Sequence, residues 1–212
     1  VQVLLVSEDG LFLRRALSLG ADPPFAITRR TSQTLSGADL TGQAVVLLDD
    51  GPAPASGLVQ RLSGFVEAGG GLFVALGRRS APEGWQARGA ALLAGATGPV
   101  VDRLADHGAR LSGLAGEHPA FEIFRAPRSG DVSTARFFRY RTFRPGDGAA
   151  VLARFDDGGV ALAERALGRG RVVVWTSGLD NVWNDLAVQP VFLPFLHQLV
   201  GYLAGYQAPR LA

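Results

Sequence analysis

AVVLLDDGPAPASGLVQRLSGFVEAGGGLFVALG, residues 44–77, is the stretch on which the reading of this chain turns. Residues 44–48 form an unbroken apolar run of the kind a strand buried on both faces produces. The run stops at Asp49-Asp50-Gly51-Pro52, which is turn chemistry. Leu58, Leu62, Phe65 and Val66 then stand at i, i+4, i+7 and i+8, one face of a helix, and Gly69-Gly70-Gly71 ends it. Residues 72–76 are a second apolar run. Strand, helix and strand in this order make a crossover unit, the connection that parallel strands need.

The same unit recurs toward the N-terminus. Residues 1–6 read as a strand, end in Ser7-Glu8-Asp9-Gly10 and precede a helical stretch at 11–19; residues 25–28 read as the next strand. Strands alternating with helices set the expected fold class, α/β, with a mostly parallel sheet and helices on both faces. Residues 78–135 loosen into Gly-, Ala- and Pro-rich sequence and read as an irregular excursion with short helices at 90–93 and 102–105. Order then returns as β. Residues 135–143 alternate in part, 149–155 and 159–167 flank Asp156-Asp157-Gly158 as a hairpin, and 171–175 read as another buried strand. The uncharged stretch 186–209 is interrupted by Pro190, Pro194, His197, Gln189, Gln198 and Gln207, while Phe192, Phe195, Leu196, Leu199 and Leu203 share one face. It reads as a core helix on the sheet and not as a membrane span.

Composition narrows the function. All 21 basic residues are arginine, against 19 acidic ones, and they are scattered through the chain, so no basic stripe for nucleic acid is expected. Hydrophobic residues at 47% and charged residues at 19% describe a folded protein. The absence of cysteine removes disulfides, thiolate nucleophiles and Cys-ligated zinc. The absence of lysine removes the phosphate-binding loop that depends on it. With no methionine and an opening on VQVLLV, residues 1–212 read as a single α/β domain cut from a longer protein.

Ligands of open parallel sheets bind outside the carboxyl ends of the strands. Those ends supply Glu8, Asp9, Asp49, Asp50, Gly77, Arg78, Ser177 and Asp180, a mostly acidic set. Brought together, its carboxylates suit Mg²⁺ or paired acid–base work; otherwise they only terminate strands. No Gly-x-Ser-x-Gly occurs, two arginines occupy the turn after LFVALG, and no spacing joins Ser80 or Ser177 to His107, His118 or His197. The triple glycine precedes a strand, so it is a helix stop and not a phosphate cradle. Trp183, in the polar run 180–185, either offers an indole face to a sugar or fills the core edge while Asp180 caps the loop. No cofactor is expected.

The last third adds a resemblance. RFFRY at 136–140 and the segment 151–206, VLARFDDGGVALAERALGRGRVVVWTSGLDNVWNDLAVQPVFLPFLHQLVGYLAGY, resemble the bacterial BatA-like membrane proteins. FVEAGGGLFVALG at 65–77 is similar to the helix-Gly-strand step before the nucleophile in the class I glutamine amidotransferase-like superfamily. The resemblance implies a flavodoxin-like sheet, to which the residues add the β-hairpin region around Asp156-Asp157-Gly158. It also implies a parent anchored in the cytoplasmic membrane of a bacterium by helices outside this chain, with the domain on the outer side and other envelope or membrane proteins as partners. Amidotransferases carry a cysteine at the turn after this strand. With none here, the expectation is a chain that is not an enzyme, a noncatalytic scaffold or ligand-sensing module. The alternatives are a hydrolase using the acidic carboxyl edge, with or without a metal ion, and a carbohydrate-binding module.

Overall fold

The computed structural model describes residues 1–20, 25–125 and 130–205. In chain order its elements begin with β1 (Gln2–Val6), α1 (Leu11–Leu17), β2 (Ala26–Arg30), β3 (Val45–Asp49), α2 (Ser56–Glu67) and β4 (Gly71–Ala75). They continue with α3 (Pro82–Gly84), β5 (Gly95–Asp102), β6 (Leu111–Leu114), β7 (Arg139–Pro145), β8 (Ala149–Phe155), β9 (Val160–Leu167), β10 (Gly170–Trp175) and α4 (Phe192–Leu203). Eight strands form one sheet in the order β2-β1-β3-β4-β10-β9-β8-β6, and β5 pairs with β7 apart from it. The chain is therefore α/β. From β2 to β10 every pairing is parallel; from β10 to β6 every pairing is antiparallel.

Successive strand residues face opposite sides of a sheet. Val3, Leu5, Val45, Leu47, Phe73, Val173 and Trp175 enter one core, which also holds Leu13 and Leu17 of α1 and Phe195 and Leu199 of α4. Leu4, Val6, Val46, Leu48, Leu72, Val74, Val172 and Val174 enter the other, with Val59, Leu62 and Val66 of α2. Both faces are covered, which is why these strands read as continuous apolar runs. Gly69, at φ +113°, ends α2 in a backbone conformation that other residues resist, and the Gly70 amide donates back to the Phe65 carbonyl at 3.0 Å.

α4 is a core helix. The Phe195 ring lies 5.7 Å from Trp175 and 6.4 Å from Phe121, and His197 Nε2 donates to the Ala16 carbonyl at 2.8 Å. Gln207 and Pro209 lie outside the described residues. Among the described residues no helix is long and apolar enough to cross a membrane.

The reading of 78–135 as an irregular excursion needs correction. It contributes β5, which pairs with β7, and β6, which closes the large sheet beside β8. β5 escapes a periodicity search because Gly98-Pro99 interrupts it; its register shifts between Thr97 and Val100, where a proline has no amide to donate. Residues 90–93 turn instead of forming a helix, and Asp102 ends β5 where 102–105 were expected to be helical.

Candidate functional site

Register alone brings the strand ends together. Val6 lies beside Leu48, Asp49 beside Ala75, and Ala75 beside Trp175, so the residues that follow emerge at one rim. The chain leaves β1 for β2 on one side and returns to β3 on the other, which makes the β1/β3 gap the point where strand order reverses. Open α/β sheets bind ligands in such crevices.

Asp49 sits at this gap, half-buried, and its Oδ2 accepts the Ser7 hydroxyl at 2.7 Å. Burial pushes its carboxyl up to about 6; the Ser7 hydrogen bond opposes this, the charges of Asp50 and Asp180 add to it, and Arg79 counters them. Asp50 is buried at φ +44°, with Oδ1 accepting the Arg79 amide at 2.7 Å and Oδ2 3.6 Å from the Arg79 guanidinium. Burial also raises the Asp50 carboxyl, against the pull of Arg79. Gly77 explains itself here: a Cβ at that position would stand 2.5 Å from Asp50 Oδ1.

Asp180 is close enough for its charge to act on both Asp49 and Asp50. Its Oδ1 accepts the amides of Val182 and Trp183 at 3.0 and 3.1 Å, so it also caps its own loop. Ser177 is buried and structural: its hydroxyl donates to the Arg139 carbonyl at 2.8 Å and accepts from Asn184 Nδ2 at 2.9 Å. Arg78 is exposed, and Ser80 is buried with its Oγ accepting the Gly77 amide at 3.1 Å. Glu8 accepts the Ser32 amide at 3.1 Å and so ties the loop after β2 to the end of β1. Trp183 is only 4% exposed, with the Arg141 guanidinium 5.9 Å from its ring, so of the two readings of this residue it fills the core edge and has no open face for a sugar. Among the described residues no group of three or more His, Asp or Glu is placed to hold a metal ion.

Beside Asp49 lies a cavity of about 300 Å³. Val6 and Leu48 supply its floor from β1 and β3, Ser32, Gln33 and Leu35 come from the loop after β2, and Pro52, Ala53, Pro54, Ala55 and Leu58 lead into α2. Such a space, mostly apolar with few polar groups, has the make-up of a small-molecule site.

Four contributors lay beyond sequence reasoning. Ser7 and Arg79 act through neighbours 42 and 29 residues away, and the 32–35 loop meets the cavity only in the folded chain. Arg141 is 6% exposed and donates to the carbonyls of Gly77, Arg78 and Gly98 at 2.9, 3.3 and 3.4 Å, locking the turn after β4. Its one sequence signal is an arginine between Tyr140 and Phe143, both buried.

No protein-family model matches the chain, and no curated protein does. Solved structures do. Cytoplasmic Protein STM3548 from Salmonella typhimurium aligns with a TM-score of 0.75 at 15% identity, over 96% of this chain and 99% of that one. Cytoplasmic Protein STM1381 from Salmonella typhimurium LT2 aligns at 0.73 and 13%, over 98% and 100%. The β-galactosidase from Rahnella sp. R3 aligns at 0.63 and 15%, over 95% of this chain but 31% of its own. At these identities the likeness is one of fold. It corrects the expectation that the chain is not an enzyme: the same fold forms part of several β-galactosidases, so lacking a cysteine at the turn after β4 does not exclude catalysis.

Proposed function

We propose that this chain is a ligand-binding α/β domain of the flavodoxin-like, class I glutamine amidotransferase-like kind, with its site in the cavity between the ends of β1 and β3. The observation that carries this reading is the placement of a 300 Å³ cavity at the strand-order reversal, with the half-buried Asp49 in its wall. The amidotransferase-like assignment is supported by the parallel order β2-β1-β3-β4 and by the helix-glycine-strand step from α2 into β4. The C-terminal resemblance to BatA-like proteins supports, within the same proposal, a membrane-anchored bacterial parent with envelope partners; fractionation of cells producing that parent tests it.

Amide NMR screening of small organic fragments tests the site. Hits should shift Ser32, Leu48, Asp49 and Leu58 and disappear in Gln33→Trp, which places an indole at the cavity mouth. Hits that cluster elsewhere and survive this variant would refute the reading.

A second reading has its own support. A carboxyl raised to about 6 at the carboxyl edge of the sheet suits general acid–base work, so the hydrolase alternative centres on Asp49 without a metal. Hydrolytic turnover abolished by Asp49→Asn, with the fold retained, is its expected signature.

A further inference from the structure

We propose that the cavity between β1 and β3 takes an uncharged, mostly hydrocarbon molecule of about two fused rings, carrying one hydroxyl or carbonyl group that meets the Ser32 hydroxyl. This rests on the reading of the cavity as a ligand site and adds the class of ligand.

The side of the sheet on which the cavity opens is the first argument. Val6, Leu35, Leu48, Ala53 and Leu58 line it, and all five pack in the core that α2 covers. Asp49 is the one titratable residue among the described residues of the lining, but it alternates with Leu48, pairs with Ala75, which enters the opposite core, and accepts the Ser7 hydroxyl. Its carboxyl therefore belongs to the face of α1 and α4. Among the described residues, no charged side chain is left on the hydrocarbon side. An ionised ligand buried there would lose its hydration without gaining a partner.

The polar groups are the second. Ser32 and Gln33 are the uncharged polar side chains of the lining. The Ser32 amide donates to Glu8, while its hydroxyl makes no hydrogen bond to the described residues and lies 3.0 Å from where a Cβ on Gly51, another lining residue, would stand. A free hydroxyl both donates and accepts, so it serves a ligand hydroxyl or carbonyl. The loop before α2 has less to offer: Trp85 Nε1 donates to the Gly51 carbonyl at 3.3 Å, Arg88 to the Ala53 carbonyl at 3.4 Å, and Pro52 and Pro54 have no amide hydrogen.

Size is the third. A dry apolar cavity of roughly 150 Å³ takes one benzene ring, so about 300 Å³ takes two fused rings. An anion is the rival ligand, because α2 starts beside the cavity at Ala55, which makes no side-chain cap, and a helix N-terminus carries roughly half a positive charge. The Asp49 carboxylate opposes that field from the other face, so neither sign of ligand charge is favoured.

Titration followed by amide NMR, with naphthalenemethanol, naphthylmethylammonium and naphthoate as probes, presents one ring system with three charges. Naphthalenemethanol should shift Ser32, Leu48 and Leu58. Both charged analogues should bind at least about tenfold more weakly, for the charge that meets no partner, and benzyl alcohol about tenfold more weakly, for its missing ring. Ser32→Ala should weaken naphthalenemethanol about threefold to tenfold and leave the affinity of methylnaphthalene unchanged; Gln33→Trp should block both. A charged analogue that binds these residues as tightly as the alcohol, or more tightly, overturns the uncharged ligand and leaves the ligand site standing. Benzyl alcohol binding as tightly overturns the two-ring size, and equal effects of Ser32→Ala on both neutral naphthalenes overturn the Ser32 contact. If no probe moves the cavity residues while other fragments do, this class of ligand alone fails; if nothing moves them, the site reading falls as well.

Discussion

The two halves of the sheet are held together by different means. In the parallel half, β1, β3, β4 and β10 have nearly every side chain buried, on alternate sides, so hydrocarbon burial alone specifies them. In the antiparallel half, β6 and β8 carry exposed positions within the strand, and side chains far apart in sequence tie the structure. Arg103 reaches Asp157, in the turn between β8 and β9, at 2.5 Å, and Tyr140 of β7 donates to the same Asp157, which ties the separate β5-β7 pair to this half. The difference teaches where chemistry can collect. Polar groups in the antiparallel half are drawn together from distant parts of the chain, and Arg165 Nε on β9 finds no partner among the described residues, whereas those at the parallel rim are set side by side by register.

The largest expected effect tests the hydrocarbon half. Phe73 on β4 is 1% exposed, and Phe73→Ala should cost about 3–5 kcal/mol in urea unfolding, as aromatic truncations in a core do. A cost under about 1 kcal/mol would mean that this half does not rest on burial.

An intermediate effect sharpens the account of the rim. Because burial holds the Asp49 carboxyl near 6 instead of 3.8, the folded protein binds its proton more tightly than the unfolded chain does. The contribution of Asp49 to stability should therefore fall as pH rises from about 4 to about 6 and stay low above that. Asp49→Asn removes this contribution, so urea midpoints should show the variant more stable than the parent at pH 8, on the order of 1–2 kcal/mol, and no more stable at pH 3.5. Asp50, also raised, keeps part of the slope in the variant. A variant that is less stable at pH 8 would show that the Ser7 bond, and not burial, governs Asp49.

The smallest effect belongs to the other half. Arg103 and Asp157 are partly exposed, so Arg103→Ala should cost no more than about 1 kcal/mol, and the cost should shrink in high salt. A loss as large as that of Phe73→Ala would erase the contrast between the halves.

Legibility followed the same division. The runs at 1–6, 44–48, 72–76 and 171–175 announced β1, β3, β4 and β10 because a strand buried on both faces needs apolar residues at every position. α2 and α4 were legible from one apolar face each. β5 and β6 were not: Gly98-Pro99 breaks the alternation of the first, and the four residues of the second are too few to show a period. At the site, Asp49, Asp50, Gly77 and Asp180 were legible as strand-end residues. The same reasoning overvalued Ser177, which turns inward, and left Trp183 between a ligand face and the core edge, where burial decided for the core.

By itself, then, the sequence determined which segments are strands and helices in the parallel half and that their polar ends carry what chemistry there is, since periodicity and turn residues act over a few neighbours. Only the tertiary structure decided that β10 inserts beside β4, that Ser7 reaches Asp49, that Arg141 locks the turn after β4, and that a cavity opens between β1 and β3. Those choices depend on packing and on pairings between residues tens of positions apart, whose free energies exist only once the chain has closed on itself.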